Sequence, residues 1–364
     1  MTAFLIINYG GIEGIMANLD SQNDRVAIIY TPINQSLRVR EEERFADEEE
    51  QEVAVYVKEA LALAGRSADI LCLDLDHLEK LAGYAGVFNL VENYSGCDPN
   101  LESNFARRLQ ELGLPFTGPG ALTLKTCLNK ADTKARILQH GLLSPAYSVI
   151  KPGDAIQTGL PFPLFVKPVQ EDGSLGVGIN SEVNSQADLV AKVQEIHDLY
   201  HEPALVEEFI DGRDISVAIL GNDADLQVLP PREIIFEPGF VGPKVLTYEA
   251  SWVTTSAAYA YNKNICPCPL NDHARELMMT MARLISQFMG CQDYTRVDFR
   301  LRGNTPYALE VNPKPSIHPD SGFSLCARAA GLDYSAMVNT ILDQALRKQP
   351  LQYRTQPARE SLRL

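Results

Sequence analysis

A chain of 364 residues, 45% hydrophobic and 22% charged, is long enough for two or three domains with substantial cores, and its composition is that of a soluble globular protein. A formal net charge of −15 excludes general nucleic-acid binding, which needs a basic face, and no apolar run reaches the ~18 residues of a membrane-spanning helix. The seven cysteines are scattered and odd in number, which points to reduced thiols in a cytoplasmic protein.

Residues 1–23 are apolar at the start but lack a basic n-region, so they read as an N-terminal extension and not a signal peptide. RVAIIY at 25–30 is a strong strand. The acidic run REEERFADEEEQE at 40–52 reads as a solvated helix start, continued by Val53, Val57, Ala60 and Ala64 at helical spacing and closed by Gly65. A strand at 70–73, a short helix, a strand at 87–90 and a helical stripe from Leu101 to Leu112 complete an alternation that predicts a parallel sheet with helices on its faces, over 24–120. A helical link from 121 ends in a strand at 147–149. Strand LFVK at 164–167, the turn QEDGSLGVG at 170–178, a helix near 186–200 and strand ALVEEF at 204–209 then suit a small α+β domain, 121–214, with a mobile hairpin. From 215 to 346 the chain is antiparallel in character, with TRVDFRL and YALEVN among its strands and a helix near 334–346; 347–364 is a polar tail without apolar period.

No GxxxxGK[ST] and no GxGxxG at the first strand–helix turn is present, so any phosphate site is of another kind. Gly173, Gly176 and Gly178 allow backbone N–H groups to approach an anion, Ser174 adds a hydroxyl, and Lys167 on the preceding strand supplies a point charge; a tight hairpin turn would explain the same residues. In LVEEFIDGRD, Glu207 and Glu208 are adjacent on a strand, so one faces in and one out, and Asp214 offers a carboxylate that vicinal hydroxyls could bond. Arg296 and Asp298 share a strand face, and so do Glu310 and Asn312. The hairpin RGNTP at 302–306 returns the second strand beside the first, which brings Asp298, Glu310 and Asn312 together as hard oxygen ligands of the kind Mg²⁺ takes.

The segments FNLVENYSG, PFTGPGALTLKTCLNKADTK, PLFVKPVQEDGSLGVGI, LVEEFIDGRDISVAIL, TYEASW, TRVDF and EVNPKP, in this order, resemble the ATP-grasp superfamily and within it the D-alanine–D-alanine ligase family. The resemblance covers about 85–345. It implies an ATP-grasp fold of mixed α/β and α+β class, with a parallel-sheet N-terminal domain followed by two α+β domains that clamp ATP. It also implies an ATP-dependent carboxylate–amine ligase that forms an amide or peptide bond through an acyl phosphate, on amino acids or amino-acid-like metabolites. Lys130 and Lys167 would contact ATP phosphates, Gly173, Ser174 and the loop amides would cover them, Glu207 with the backbone of Glu208, Phe209 and Ile210 would hold adenine, and Asp214 the ribose. Asp298, Glu310 and Asn312 would bind two Mg²⁺ ions, with Mn²⁺ as a substitute, and Arg296 would steady the reacting acyl phosphate. Ser321 lies where the family binds the second substrate's carboxylate. A homodimer is a family expectation.

Several positions depart from the family. Its first loop serine is Gly173, its tyrosine is Trp252, the lysine before that is Ser251, and its histidine is Glu92. The motif GGxSxExxVS survives only as EEQEVA, which would put Glu50 near the first amino group, and PKPSIHPD brings Ser316, His318 and Asp320 near the acceptor. ATP and metal residues match while substrate residues do not, which implies the same reaction on other substrates. The rival readings are an authentic D-alanine–D-alanine ligase of cell-wall synthesis and a nucleotide-binding regulator without turnover.

Overall fold

Val26, Ala27, Ile28 and Ile29 are consecutive, apolar and all buried, as a strand covered on both faces requires. In the computed structural model, which describes residues 24–32, 49–93, 98–242 and 244–348, they belong to β1 (Val26–Tyr30). The expectations for 1–23, for 40–48 of the acidic run and for 349–364 lie outside the described residues.

Helix α1 (Glu49–Leu63) follows β1, then β2 (Ala68–Cys72), a short 3₁₀ turn, β3 (Gly86–Asn89) and α2 (Leu101–Glu111). The strands form a parallel sheet in the order β2-β1-β3. Side chains alternate across it: Val26 and Ile28 meet Val53, Val57 and Leu61 of α1, while Ala27 and Ile29 meet Phe105 and Leu109 of α2. Gly65 and Gly113, just past the two helices, have φ of 77° and 67°, the left-handed conformation that ends a helix.

Helices α3 (Ala121–Leu128) and α4 (Lys130–Gln139) come next, with Asn129 capping α4 through its side chain. A second sheet holds β4 (Tyr147–Ile150), β5 (Leu164–Pro168), β6 (Glu182–Val183) and β7 (Ala204–Glu208), antiparallel in the order β4-β7-β5-β6. Helix α5 (Gln186–Tyr200) covers one face with Leu189, Val193 and Ile196.

The third sheet runs β11-β10-β8-β12-β13, with β9 (Gln227–Val228) beside β8 (Arg213–Leu220). Its other strands are β10 (Arg232–Phe236), β11 (Asn262–Ile265), β12 (Tyr294–Arg302) and β13 (Thr305–Asn312). Between β10 and β11 lie two short helices, α6 (Tyr248–Trp252) and α7 (Ala257–Tyr261). Helix α8 (Asp272–Met289) packs Met278, Ala282 and Ile285 with Val217, Val297 and Phe299. The chain then forms α9 (Gly322–Ala329) and α10 (Tyr334–Leu346), whose Phe323, Val338 and Ile341 join the core around Ile28 and Val57 to Tyr294 of the third sheet.

Residues 347 and 348 are tied to the fold. Arg347 pairs with Asp225 at 2.8 Å, and Lys348 reaches the fully buried Asp293 at 2.5 Å and the Gly118 carbonyl at 2.6 Å. A buried carboxylate needs a counter-charge, and Lys348 supplies it.

Candidate active site

A cavity of about 910 Å³ opens between the three sheets. The ends of β12 and β13 form its floor. Asp298 lies opposite Glu310, and Arg296 opposite Asn312. A β-bulge follows at once: Phe299 pairs with Ala308, so Leu309 is the extra residue. The bulge has a consequence that strict alternation forbids. Ala308 and Val311, three apart, both face the core, while Leu309 and Glu310 both line the cavity.

Arg296 donates to both oxygens of Asp298, from Nε at 2.8 and 3.1 Å and from Nη2 at 2.8 Å, and the Asn312 amide nitrogen donates to Asp298 at 2.9 Å. Burial raises the proton affinity of Glu310, but Lys167, Lys130, Arg296 and Lys134 outweigh it, so its carboxyl is held below the usual range and stays ionised. Among the described residues no three carboxylates, histidines or cysteines are placed to hold a metal ion by themselves. Two carboxylates and a carboxamide are nonetheless the donor set Mg²⁺ accepts when substrate phosphates and waters complete its shell, so these residues fit that ion.

One wall is cationic. Lys167 ends β5, and Lys130 opens α4 with its ammonium on the Glu171 carbonyl. Glu207 stands between Lys167, at 3.2 Å, and Lys134, at 2.6 Å, and Lys134 is 0% exposed. Burial works against the charge on Glu207, but the two ammonium groups win and keep it ionised. Glu207 is thus the inward member of the Glu207–Glu208 pair, with its oxygens on the Lys134 and Lys167 ammonium groups. Glu208 turns out to Arg302 at 2.9 Å. The Glu208 and Phe209 N–H groups donate to the Ala146 and Pro163 carbonyls, and the Ile210 N–H has no backbone acceptor among the described residues. Phe165, Ile210 and Leu309 supply an apolar slot beside it, and Asp214 sits 3.6 Å from Arg300.

Loop 170–178 covers the cavity. Gly173, Ser174 and Gly176 take φ of 58°, 63° and 72°. At Gly176 a Cβ would stand 2.4 Å from Pro168 Cγ, so glycine is required there. The loop is fastened to α6: Tyr248 N–H donates to the Val177 carbonyl at 3.0 Å, and Trp252 Nε1 to the Gly173 carbonyl at 2.8 Å. Trp252 lines the cavity, and its polar atom joins loop 170–178 to α6.

The far end is acidic. Glu50, buried in the first turn of α1, and Glu92, just after β3, line it together with Glu49 and Glu102. Burial pushes Glu102 up to about 7, against the pull of Lys314. Lys314 is buried between Glu92 at 3.4 Å and Glu102 at 3.3 Å, so Glu92 already has a cation. His318 Nε2 is 3.7 Å from Glu52, its ring stands edge-on to Tyr56, and the Asp320 N–H donates to its Nδ1 at 3.2 Å. Ser316 accepts from the His318 N–H at 3.2 Å, and Ser321 caps α9 by accepting from the Ser324 N–H at 3.3 Å. Sequence reasoning missed Lys134, Arg300, Leu309 and the pairing of Lys314. Only Lys134 had a local signal: it lies four residues after Lys130 on one helix face.

The profile of the D-ala D-ala ligase C-terminus matches residues 146–343. A D-alanine–D-alanine ligase of Bordetella pertussis is 31% identical over 295 residues, 79% of this chain and 88% of that protein. The chain belongs to the D-alanine–D-alanine ligase family. An uncharacterised protein of Sinorhizobium fredii, y4sG, is 35% identical over 277 residues, 75% of this chain and 77% of its own. The crystal structure of the Bacillus anthracis D-alanine–D-alanine ligase complexed with ATP superposes with a TM-score of 0.69 at 20% identity, covering 89% of this chain and 97% of that one, which shows the ATP-grasp fold.

Proposed function

We propose that this chain, an ATP-dependent carboxylate–amine ligase by family, joins two amino-acid-like substrates and is not confined to D-alanine. The observation that carries the reading is the Asp298–Glu310 pair across β12 and β13, facing Lys130 and Lys167 over the same cavity. Carboxylates and ammonium groups held apart in one pocket suit a triphosphate and the cation that travels with it.

The ATP γ-phosphate passes to the oxygen of one substrate's carboxylate, ADP leaves, the amine of the second attacks the acyl carbon, and phosphate departs. Lys130 and Lys167 neutralise the phosphates, and Glu207, held by Lys134, fixes Lys167 in place. Ser174 and the loop amides exclude water from the acyl phosphate, which would otherwise hydrolyse. Arg296 steadies the acyl oxygen as it gains charge. The Ile210 N–H and the apolar slot take adenine, and Asp214 the ribose. Asp298, Glu310 and Asn312 would hold Mg²⁺, which supplies charge neutralisation between the phosphates. Glu50 or Glu92 takes a substrate ammonium, with Glu50 favoured because Glu92 is paired with Lys314, and Ser316, His318, Asp320 and Ser321 shape the acceptor end.

The narrower reading, two D-alanines, has the Bordetella relative in its favour and the altered acceptor residues against it. Among the described residues no helix is long and apolar enough to cross a membrane, and their six cysteines are free, which supports a reducing, cytoplasmic setting. The test is phosphate release from ATP and Mg²⁺ with D- and L-amino acids, singly and in pairs. Release with a pair other than two D-alanines supports the proposal; release with D-alanine alone supports the narrower reading.

A further inference from the structure

Two thiols meet behind the cavity wall, and none of the roles above uses them. Cys266 follows the last residue of β11, and Cys326 lies in the middle of α9. Their sulfurs are 3.9 Å apart, and Cys266 Sγ is 3.5 Å from the Pro230 carbonyl oxygen. A disulfide brings the sulfurs to about 2.05 Å, a change that side-chain rotation can supply where they already touch. The contact follows from how the elements pair. Ile265 pairs with Glu233 of β10, which puts Cys266 at the level of Arg232, the first residue of that strand. On α9, Gly322 and Cys326 are four apart and share a face. Gly322 admits the Arg232 guanidinium, where a Cβ would stand 2.1 Å from Nη1, and Cys326, one turn on, meets Cys266.

The two thiols are not alike. Cys266 is partly exposed and Cys326 is buried. The Cys326 thiol and the Arg232 charge draw Cys266 below the ordinary thiol range, against the effect of burial, while Cys326 is pushed up. Cys268, two residues on, is buried, and burial with Glu233 nearby pushes its thiol up to about 11. An accessible, acidified thiol with a guanidinium near it and a second thiol in contact is the arrangement that oxidants select.

We propose that Cys266 and Cys326 are a peroxide-sensitive thiol pair that closes to a reversible disulfide between β11 and α9 and slows the enzyme. The Cys266 thiolate attacks one oxygen of hydrogen peroxide. The O–O bond breaks, a sulfenic acid forms on Cys266, and the departing hydroxide takes up the proton that the thiol lost. Cys326 then attacks the Cys266 sulfur, the S–O bond breaks, and the sulfenic oxygen leaves as water with the Cys326 proton. The two thiols lose two electrons, the peroxide gains them, and two waters result.

The link joins two walls of the cavity. Asn262, Lys263 and Asn264 of β11 line one, and Ser321 and Gly322 at the start of α9 line the other. Asn262 Nδ2 donates to the Ala250 carbonyl at 3.0 Å, so β11 is tied to α6, whose Trp252 holds Gly173 of loop 170–178. A covalent tether from α9 to this assembly restrains the motion that admits and releases ligands. The thiol site stands on its own geometry; only the loss of turnover rests on the ligase reading.

Full-length protein is reduced, freed of reductant and treated with hydrogen peroxide, and its disulfides are mapped by mass spectrometry of unreduced peptides. Wild type should give the Cys266–Cys326 linkage, reversed by dithiothreitol. In the linked protein, amide hydrogen exchange across α6 should slow by about threefold or more. Phosphate release with the pair that wild type uses should fall by about tenfold and return on reduction. Cys266→Ser keeps every other thiol; it should match reduced wild type in rate and show neither change with peroxide. Cys326→Ala should stop at a sulfenic acid on Cys266 that dimedone traps. The proposal is overturned if peroxide leaves Cys266 and Cys326 unlinked, if the linked protein exchanges at α6 or turns over as the reduced protein does, or if peroxide slows Cys266→Ser equally. If Cys326→Ala does not fold, the wild-type linkage and Cys266→Ser decide. If reduced protein releases no phosphate with any pair, the ligase reading alone fails, and the linkage and the exchange still decide.

Discussion

Arg296 grips Asp298 by both carboxylate oxygens, with contacts of 2.8 to 3.1 Å, inside the cavity floor. The two side chains are two residues apart on β12, so they share a face, and each is the other's counter-charge. Removing either leaves a charge stranded in a cleft. Arg296→Met should therefore lower kcat by roughly 100- to 1,000-fold through lost stabilisation of the reacting oxygen. Arg296→Met with Asp298→Asn should cost less than the product of the single losses, because the two residues act as a unit. Steady-state phosphate release on the four proteins measures this; multiplicative losses would separate the two roles.

Glu207 sits between two ammonium groups with almost no water. Glu207→Gln removes the negative charge and leaves Lys134 and Lys167 facing each other. A loss of about 3 kcal/mol in stability is expected, as for breaking a buried ion pair from one side. Denaturant unfolding measures it. The KM for ATP should rise as well, since Lys167 loses its anchor; an unchanged KM with lowered stability would limit Glu207 to a folding role.

Trp252 is the chain's single tryptophan and joins loop 170–178 to α6. Its fluorescence should change when ATP is added, and the change should follow lid closure. Trp252→Phe keeps the ring and loses the hydrogen bond to Gly173, worth about 1 kcal/mol, so the KM for ATP should rise several-fold with the fold intact. A fluorescence signal indifferent to ATP would detach Trp252 from the lids.

Much of this was legible locally. Burial on both faces of β1, the glycine loop, and the shared faces of Arg296 with Asp298 and of Glu310 with Asn312 follow from a period of two and from turn chemistry. The bulge at Leu309 was not, because it exists only in the pairing of two strands. The same is true of Lys314 between Glu92 and Glu102, more than 200 residues apart from it in the chain, and of Arg232 on Gly322. Helix α8 went unread although Met278, Met281, Ala282 and Ile285 recur at helical spacing, since the strands on either side drew the segment into a β reading.

Glu102 supplies a pH test. Its carboxyl, raised from 4.5 to about 7 by burial, lies near Lys314, Glu92 and Asp172. A carboxyl with a raised folded-state pKa contributes fully below its unfolded value and loses that contribution as pH rises through the folded one. Wild type should match Glu102→Gln in stability near pH 4.5 and fall behind it by about 1–3 kcal/mol at pH 8. Thermal or urea unfolding across that window checks it; a gap that does not grow with pH would contradict the assignment.

The most direct test is Glu310→Gln, assayed with the amino-acid pair that wild type uses. The substitution keeps size and hydrogen bonding and removes one negative charge from the floor of the cavity. With unfolding unchanged and ATP still bound, phosphate release should fall by roughly two to three orders of magnitude, the scale of charge stabilisation by a bound cation. Phosphate release at the wild-type rate would mean that β12 and β13 do not hold the metal and the triphosphate.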